Sequence, residues 1–324
     1  MRITNNAGLP LPLAVWLLHD DYDYIDEEKY ISATGIMKPV RQTVLAARVP
    51  PEDRELDVAD LLASSLGTAV HDSVEHAWRV GAKRALVKLG VPQSVADKLV
   101  INPTPEQLKA DPDILPCYIE QRSFREIGGY KIGGKFDMIL DGRLYDHKTT
   151  SVYTYILGSK DEDYALQGGI YRWLNPDKVV EDRIHINFVF TDWQKAMSLS
   201  NPSYPKLRAI EHPVKMLSEQ EVEAFIRAKL RELDRSWNLP EAELPRCTEK
   251  ELWRSEPKYK FYSDPEKAKM PGARATKNFD TLVEANQHKA NAGKGIVKTV
   301  PGEVKACPYC PAFTLCTQKD EYFS

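Results

Sequence analysis

The chain has 324 residues, 42% of them hydrophobic, with a formal net charge of −3 and five cysteines. That is enough apolar sequence for one large folded domain, or a domain with an appendage, and it excludes a disordered or low-complexity protein. The apolar stretch LPLPLAVWLL is short, interrupted by prolines and followed by HDDYDYIDEE, so it reads as neither signal peptide nor membrane span, and five cysteines in a chain of this length argue against a secreted disulfide scaffold.

Residues 1–55 read as irregular, apart from one short helix near 39–47. Helices are expected at about 57–80 and 81–90, with a shorter one at 94–100. Within SSLGTAVHDSVEHAW, the residues Leu62, Leu66, Val70, Val74 and Ala77 recur at helical spacing and form the expected buried stripe. His71 and Glu75 lie one turn apart on its edge.

Strands follow at about 117–127, 132–140 and 143–150, with Asp141-Gly142 as a strong hairpin signal between the last two. Residues two apart on a strand share a face, so Asp146 and Lys148 point the same way, and the hairpin can bring Asp137 beside them. Two carboxylates and an ammonium at one hairpin suit a magnesium ion with a positive charge aimed at a nucleophilic water. That is the chemistry of phosphodiester cleavage. Taken alone, Asp-x-Lys is an ordinary solvated strand face.

DEDYALQGGIYRWL reads as the next helix, with Gln167 and Tyr171 one turn apart. RIHINFVFTDW reads as a strand, and KLRAIEHPVKML as an edge strand because of Pro213. Ser218 and Glu221 form a capping-box pattern ahead of the clearest helix in the chain. The proline-flanked segment 239–244 is the expected domain boundary. Beyond it, Trp253, Tyr259, Phe261 and Tyr262 interleave with Lys258 and Lys260, a pattern that suits either base stacking or a small amphipathic strand. Positive charge gathers between Thr248 and Ala306, where Lys and Arg outnumber Asp and Glu.

In order along the chain stand Gly67-x-x-x-His71, Gly134-x-x-Asp137, Asp146-x-Lys148 and Gln167-x-x-x-Tyr171. This series resembles the RecB-type branch of the PD-(D/E)xK nuclease superfamily over roughly residues 60–190. The resemblance implies that His71, Asp137 and Asp146 ligate a divalent metal, Mg2+ or Mn2+, with the backbone carbonyl of His147 completing the shell. It implies that Lys148 assists the attacking water, and that Gln167 and Tyr171 line the DNA side of the pocket.

Cys307, Cys310 and Cys316 form a C-x2-C-x5-C cluster, which in a reducing compartment reads as a metal site needing a fourth ligand. Cys247 opens the same C-terminal segment and is the candidate; Cys117 lies in an apolar strand and reads as core. A tail of this spacing is similar to that of the AddB-type and CRISPR-associated iron–sulfur nucleases, which implies an iron–sulfur cluster, with structural Zn2+ as the alternative. Those nucleases draw one cysteine from the N-terminal side, and here residues 1–116 contain none.

The reading is thus an α/β fold of the restriction-endonuclease type. A nuclease core with an N-terminal helical region is expected over residues 1–240, and a cysteine module over 241–324. The implied activity is metal-dependent DNA hydrolysis, most simply by an exonuclease acting on ends or single strands in phage or bacterial replication, repair or recombination. The implied partners are DNA and recombination or replication proteins, the location is cytoplasmic, and no membrane is involved. The rival reading is a non-catalytic DNA-binding or assembly subunit that keeps the fold.

Overall fold

A computed structural model, describing residues 1–323, places seven strands in one mixed sheet. They are β1 (Tyr30–Ser32), β2 (Leu99–Ile101), β3 (Leu115–Ile127), β4 (Tyr130–Leu140), β5 (Arg143–Thr150), β6 (Arg183–Phe190) and β7 (Ala209–Lys215). The longer helices are α1 (Val40–Arg48), α2 (Leu62–Lys88), α3 (Asp161–Leu174), α4 (Glu219–Ser236) and α5 (Leu282–Ala292). The fold is α/β, as expected.

The sheet order is β2-β3-β4-β5-β6-β7, with β1 added parallel to β4. β3, β4 and β5 form an antiparallel meander, and β5 and β6 are parallel. A parallel pair needs a crossover, and the chain between β5 and β6 supplies it with α3. β7 ends the sheet, where Pro213 costs no ladder bond to a further strand. At the β4–β5 turn Asp141 and Gly142 take φ values of 48° and 79°, the left-handed pair that a two-residue hairpin with the right twist requires.

Two expectations are corrected. The helices expected at 57–80 and 81–90 are one continuous helix of 27 residues, α2, preceded by a short 3₁₀ turn capped by Asp57. Its expected stripe is not the buried face: Leu62 and Leu66 are exposed, and Val70 and Val74 are only half-buried. The packed side runs instead through Trp78, Ala82 and Leu86, which meet Leu99, Cys117, Ile119 and Met138. The helix is rotated about its axis because the sheet offers a small apolar surface there. His71 and Glu75, about two turns and one turn before Trp78, are half-buried.

The chain divides into two units, Met1–Met37 with Glu55–Arg231, and Lys38–Arg54 with the residues from Glu232 onward. A single cut near residue 240 therefore does not describe it. Residues 38–54 belong with the C-terminal segment, since Arg41 on α1 donates to the carbonyls of Glu241 and Leu244, and Arg48 donates to that of Trp237. The second unit also carries a three-stranded antiparallel sheet, β8 (Lys258–Tyr262) between β9 (Lys277–Phe279) and β10 (Ile296–Val300), with α5 beside it. Among the described residues no helix is long and apolar enough to cross a membrane.

One glycine shows how closely α3 approaches the sheet. A Cβ on Gly134 would stand 2.8 Å from the Tyr171 ring and 3.0 Å from Leu174. Gly134→Ala should therefore cost about 1–3 kcal/mol of stability. Gly67→Ala, in open space on α2, should be neutral or gain about 0.5–1 kcal/mol. Urea unfolding of the two variants checks the contrast, and equal effects would contradict the packing.

Candidate active site and cysteine cavity

The β4–β5 hairpin and α2 bring the expected residues of the first unit together. Asp137 Oδ2 accepts from the backbone N–H of His147 at 2.7 Å and lies 3.4 Å from His71 Nδ1. His71 Nε2 is 2.7 Å from the His147 carbonyl oxygen, which only an N–H on that nitrogen satisfies. That bond turns Nδ1 toward Asp137, the ring orientation in which a histidine could join a carboxylate on a metal. The His147 carbonyl, expected in the metal shell, is thus already engaged by His71. The His147 ring sits against Asn187, and burial, followed by the charge of His71, pushes its pKa down to about 4, so it is a neutral bystander.

Asp146 is 2% exposed. Its Oδ1 accepts from Gln167 Nε2 at 3.0 Å. Lys148 Nζ pairs with Oδ2 at 2.6 Å. Burial disfavours the Lys148 ammonium, yet the fields of Asp146 and Asp137 outweigh it and hold its pKa above the usual lysine value. Asp137 is pushed up to about 7, first by burial and then by the charge of Asp146, against the pull of His71. Two buried carboxylates, one paired with Lys148 and one that resists ionising, are oxygen donors that could hold a divalent cation.

A further carboxylate escaped the sequence reading. Ile119 pairs with Met138 and Gln121 with Phe136, so Glu120 stands opposite Asp137. The ligand atoms of Glu120, His71 and Asp137 all lie within 4.8 Å of one another. Glu120 takes φ 50°, a backbone that costs a non-glycine residue about 1–3 kcal/mol. The Asn102 side chain holds that kink, accepting from the N–H of Ile119 at 2.8 Å and donating to its carbonyl at 3.2 Å. Lys135 pairs with Glu120 at 3.1 Å. The only local signal in the sequence was an acid interrupting an apolar strand.

Gln167 and Tyr171 were expected to line the DNA side. Both are buried, and their polar ends are spent on protein: Gln167 on Asp146, and the Tyr171 hydroxyl on the Lys135 carbonyl at 3.1 Å. They brace the site from behind, because α3 lies against the sheet rather than beside an open groove.

In the second unit Cys247, Cys307, Cys310 and Cys316 line one cavity with Arg41 and Gln318. Burial raises the pKa of Cys307 and Cys310 and pushes that of Cys247 up to about 12. Cys117 belongs to the first unit and is fully buried in the Leu99, Ile119 and Met138 cluster. Among the described residues, no three of the four clustered sulfurs lie within 4.8 Å of one another.

No family model matches the chain, and no curated protein matches it. Among solved structures, a chain described as "Crystal structure of SSO0001" is similar with a TM-score of 0.38 and 16% identity, over 68% of this chain and 83% of that one. Likeness at that level carries no inference about fold or function.

The raised Asp137 pKa has a measurable consequence. The folded carboxyl holds its proton more tightly than the unfolded one, so its contribution to stability is complete below about pH 4 and is lost as pH rises through about 7. With divalent metal stripped by EDTA, melting temperature should fall between about pH 5 and 8. Asp146→Asn should flatten that slope, and added Mn2+ should reverse it. A slope unchanged by Asp146→Asn would show that the two carboxylates do not interact.

Proposed function

We propose that the chain is a divalent-metal-dependent deoxyribonuclease of the RecB-type PD-(D/E)xK kind, acting as an exonuclease on DNA ends or single strands. The observation that carries this reading is the grouping of His71 from α2 and Glu120 from β3 around Asp137 of the β4–β5 hairpin, whose other strand carries the Asp146–Lys148 pair. Asp137, Asp146, His71 and Glu120 would hold Mg2+ or Mn2+, and the nitrogen ligand makes manganese acceptable. When bound, the ion would supply Lewis-acid stabilisation to a scissile phosphate.

The chain's own residues support the rest of the chemistry. Lys148 is held as a cation by Asp146 and Asp137, so it offsets negative charge on a pentacoordinate phosphate and orients a water by donating to it. Gln167 fixes the Asp146 carboxylate through Oδ1, and Lys148 meets it at Oδ2.

Asp137→Ala, Asp146→Ala and Lys148→Ala should each lower DNA cleavage by on the order of 10³-fold or more with folding intact. The check is release of label from single- and double-stranded DNA with Mg2+, Mn2+ or EDTA. Near-normal cleavage by any of the three would overturn the assignment. A wild-type protein that binds DNA and never cleaves it would favour the non-catalytic reading.

For the cysteine cavity we propose an iron–sulfur cluster. Four cysteines lining one cavity could hold either group, and the C-x2-C-x5-C spacing, similar to that of the iron–sulfur nucleases, favours the cluster. Cys247, Cys307, Cys310 and Cys316 would ligate it. Replacing any of these four by Ser should lower iron content and melting temperature together, because the site closes the C-terminal segment. Cys117→Ser should leave iron content unchanged and cost about 1 kcal/mol. Iron and sulfide analysis of anaerobically purified protein decides between the two groups, and stoichiometric zinc without iron would overturn the cluster.

A further inference from the structure

Arg41 is 4% exposed, and its donors are directed to specific acceptors. Nε donates to Cys316 Sγ at 3.2 Å, and Nη1 to the carbonyls of Glu241 and Leu244, both at 3.2 Å. Nη2 pairs with the Glu241 carboxylate. That carboxylate also accepts from the N–H and hydroxyl of Thr317, at 3.1 Å and 2.8 Å. Thr317 follows Cys316 directly. Arg41 thus holds the Cys316 sulfur, and Glu241 links Arg41 to the next residue, Thr317.

Burying an arginine–glutamate pair costs desolvation that an apolar pair of similar volume would avoid, so the pair is weak evidence for a stability role alone. What it supplies instead is a charge-bearing N–H aimed at one of the four sulfurs. Cys247 is held differently: Gln318 accepts from its N–H at 2.9 Å and donates to its carbonyl at 3.0 Å, gripping the backbone and leaving the sulfur alone. Lys38, three residues before Arg41, adds a second cation whose field reaches Cys310. The N-terminal segment thus brings no cysteine to this cavity but does bring positive charge.

We propose that Arg41 is a positioning residue for the metal centre. Through its N–H···S bond to Cys316 and its charge, it stabilises the more negative, reduced form of an iron–sulfur cluster and raises its reduction potential. This rests on the iron–sulfur reading above. An N–H donor and a nearby cation both favour added electron density on the sulfurs, which are two of the levers by which proteins tune such clusters.

The test uses the full chain, purified anaerobically, with Arg41→Lys, Arg41→Met and the double variant Arg41→Met/Glu241→Gln. Iron and sulfide per chain, melting temperature, and midpoint potential by spectroelectrochemistry are read for each. Arg41→Met strands Glu241 and should lose both stability and iron. The double variant removes the stranded charge and should recover melting temperature and iron, while its potential stays shifted to more negative values than wild type. Arg41→Lys keeps the charge without the fork and should fall between. If the double variant recovers the wild-type potential along with its stability, Arg41 is only an ion-pair partner and the proposal is overturned. A wild-type protein holding no iron would overturn the iron–sulfur reading and the proposal with it. A brown wild type with unshifted variants would overturn the role of Arg41 alone.

Discussion

Two carboxylates, Asp137 and Asp146, are held beside each other in a half-dry site, and most of the first unit's local architecture answers that repulsion. Asp146 is nearly inaccessible to solvent, and Asp137 resists ionising because burial and its neighbour's charge both oppose it. An arrangement of this kind persists only where surrounding groups over-determine it. Lys148 faces Asp146 Oδ2, Gln167 binds Oδ1, and the His147 N–H binds Asp137. His71 reaches in from α2 to complete the set. Each of these fixes the orientation of a carboxylate.

The strain at Glu120 follows the same logic. A glutamate in left-handed backbone interrupts the β3–β4 pairing at the point where its carboxylate must approach Asp137. The Asn102 amide, itself at φ 49°, grips the N–H and carbonyl of Ile119 just before the kink. Local irregularity is thus concentrated where three potential metal ligands meet, and the flanking strands, regular and long, carry its cost.

The second unit meets a related problem with sulfur instead of oxygen. Burial makes Cys247, Cys307 and Cys310 resist deprotonation, so a metal bound there would have to displace their protons. The protein supports that cavity with groups that bind the ligand-bearing backbone, such as Gln318 on Cys247, and with the Arg41 guanidinium on Cys316. Charge is supplied from a segment nearly 200 residues earlier in the chain than Glu241, which is why residues 38–54 group with the C-terminal part.

Much of this was legible in the sequence because it is local. Strand period two placed Asp146 and Lys148 on one face, Asp141-Gly142 dictated the hairpin that delivers Asp137, and Ser218 with Glu221 announced the start of α4. Cysteine spacing marked the metal-type cluster. What only the tertiary structure decided depends on how distant elements dock. Helical periodicity could not say which way α2 is rotated, because its apolar residues encircle too much of the helix and the sheet surface chose Trp78, Ala82 and Leu86. Nothing local distinguishes a glutamine that faces DNA from one that braces a carboxylate 21 residues away. Glu120 and Arg41 acquire their roles from partners brought near by sheet register and by burial, and those long-range pairings leave no periodic trace in the chain.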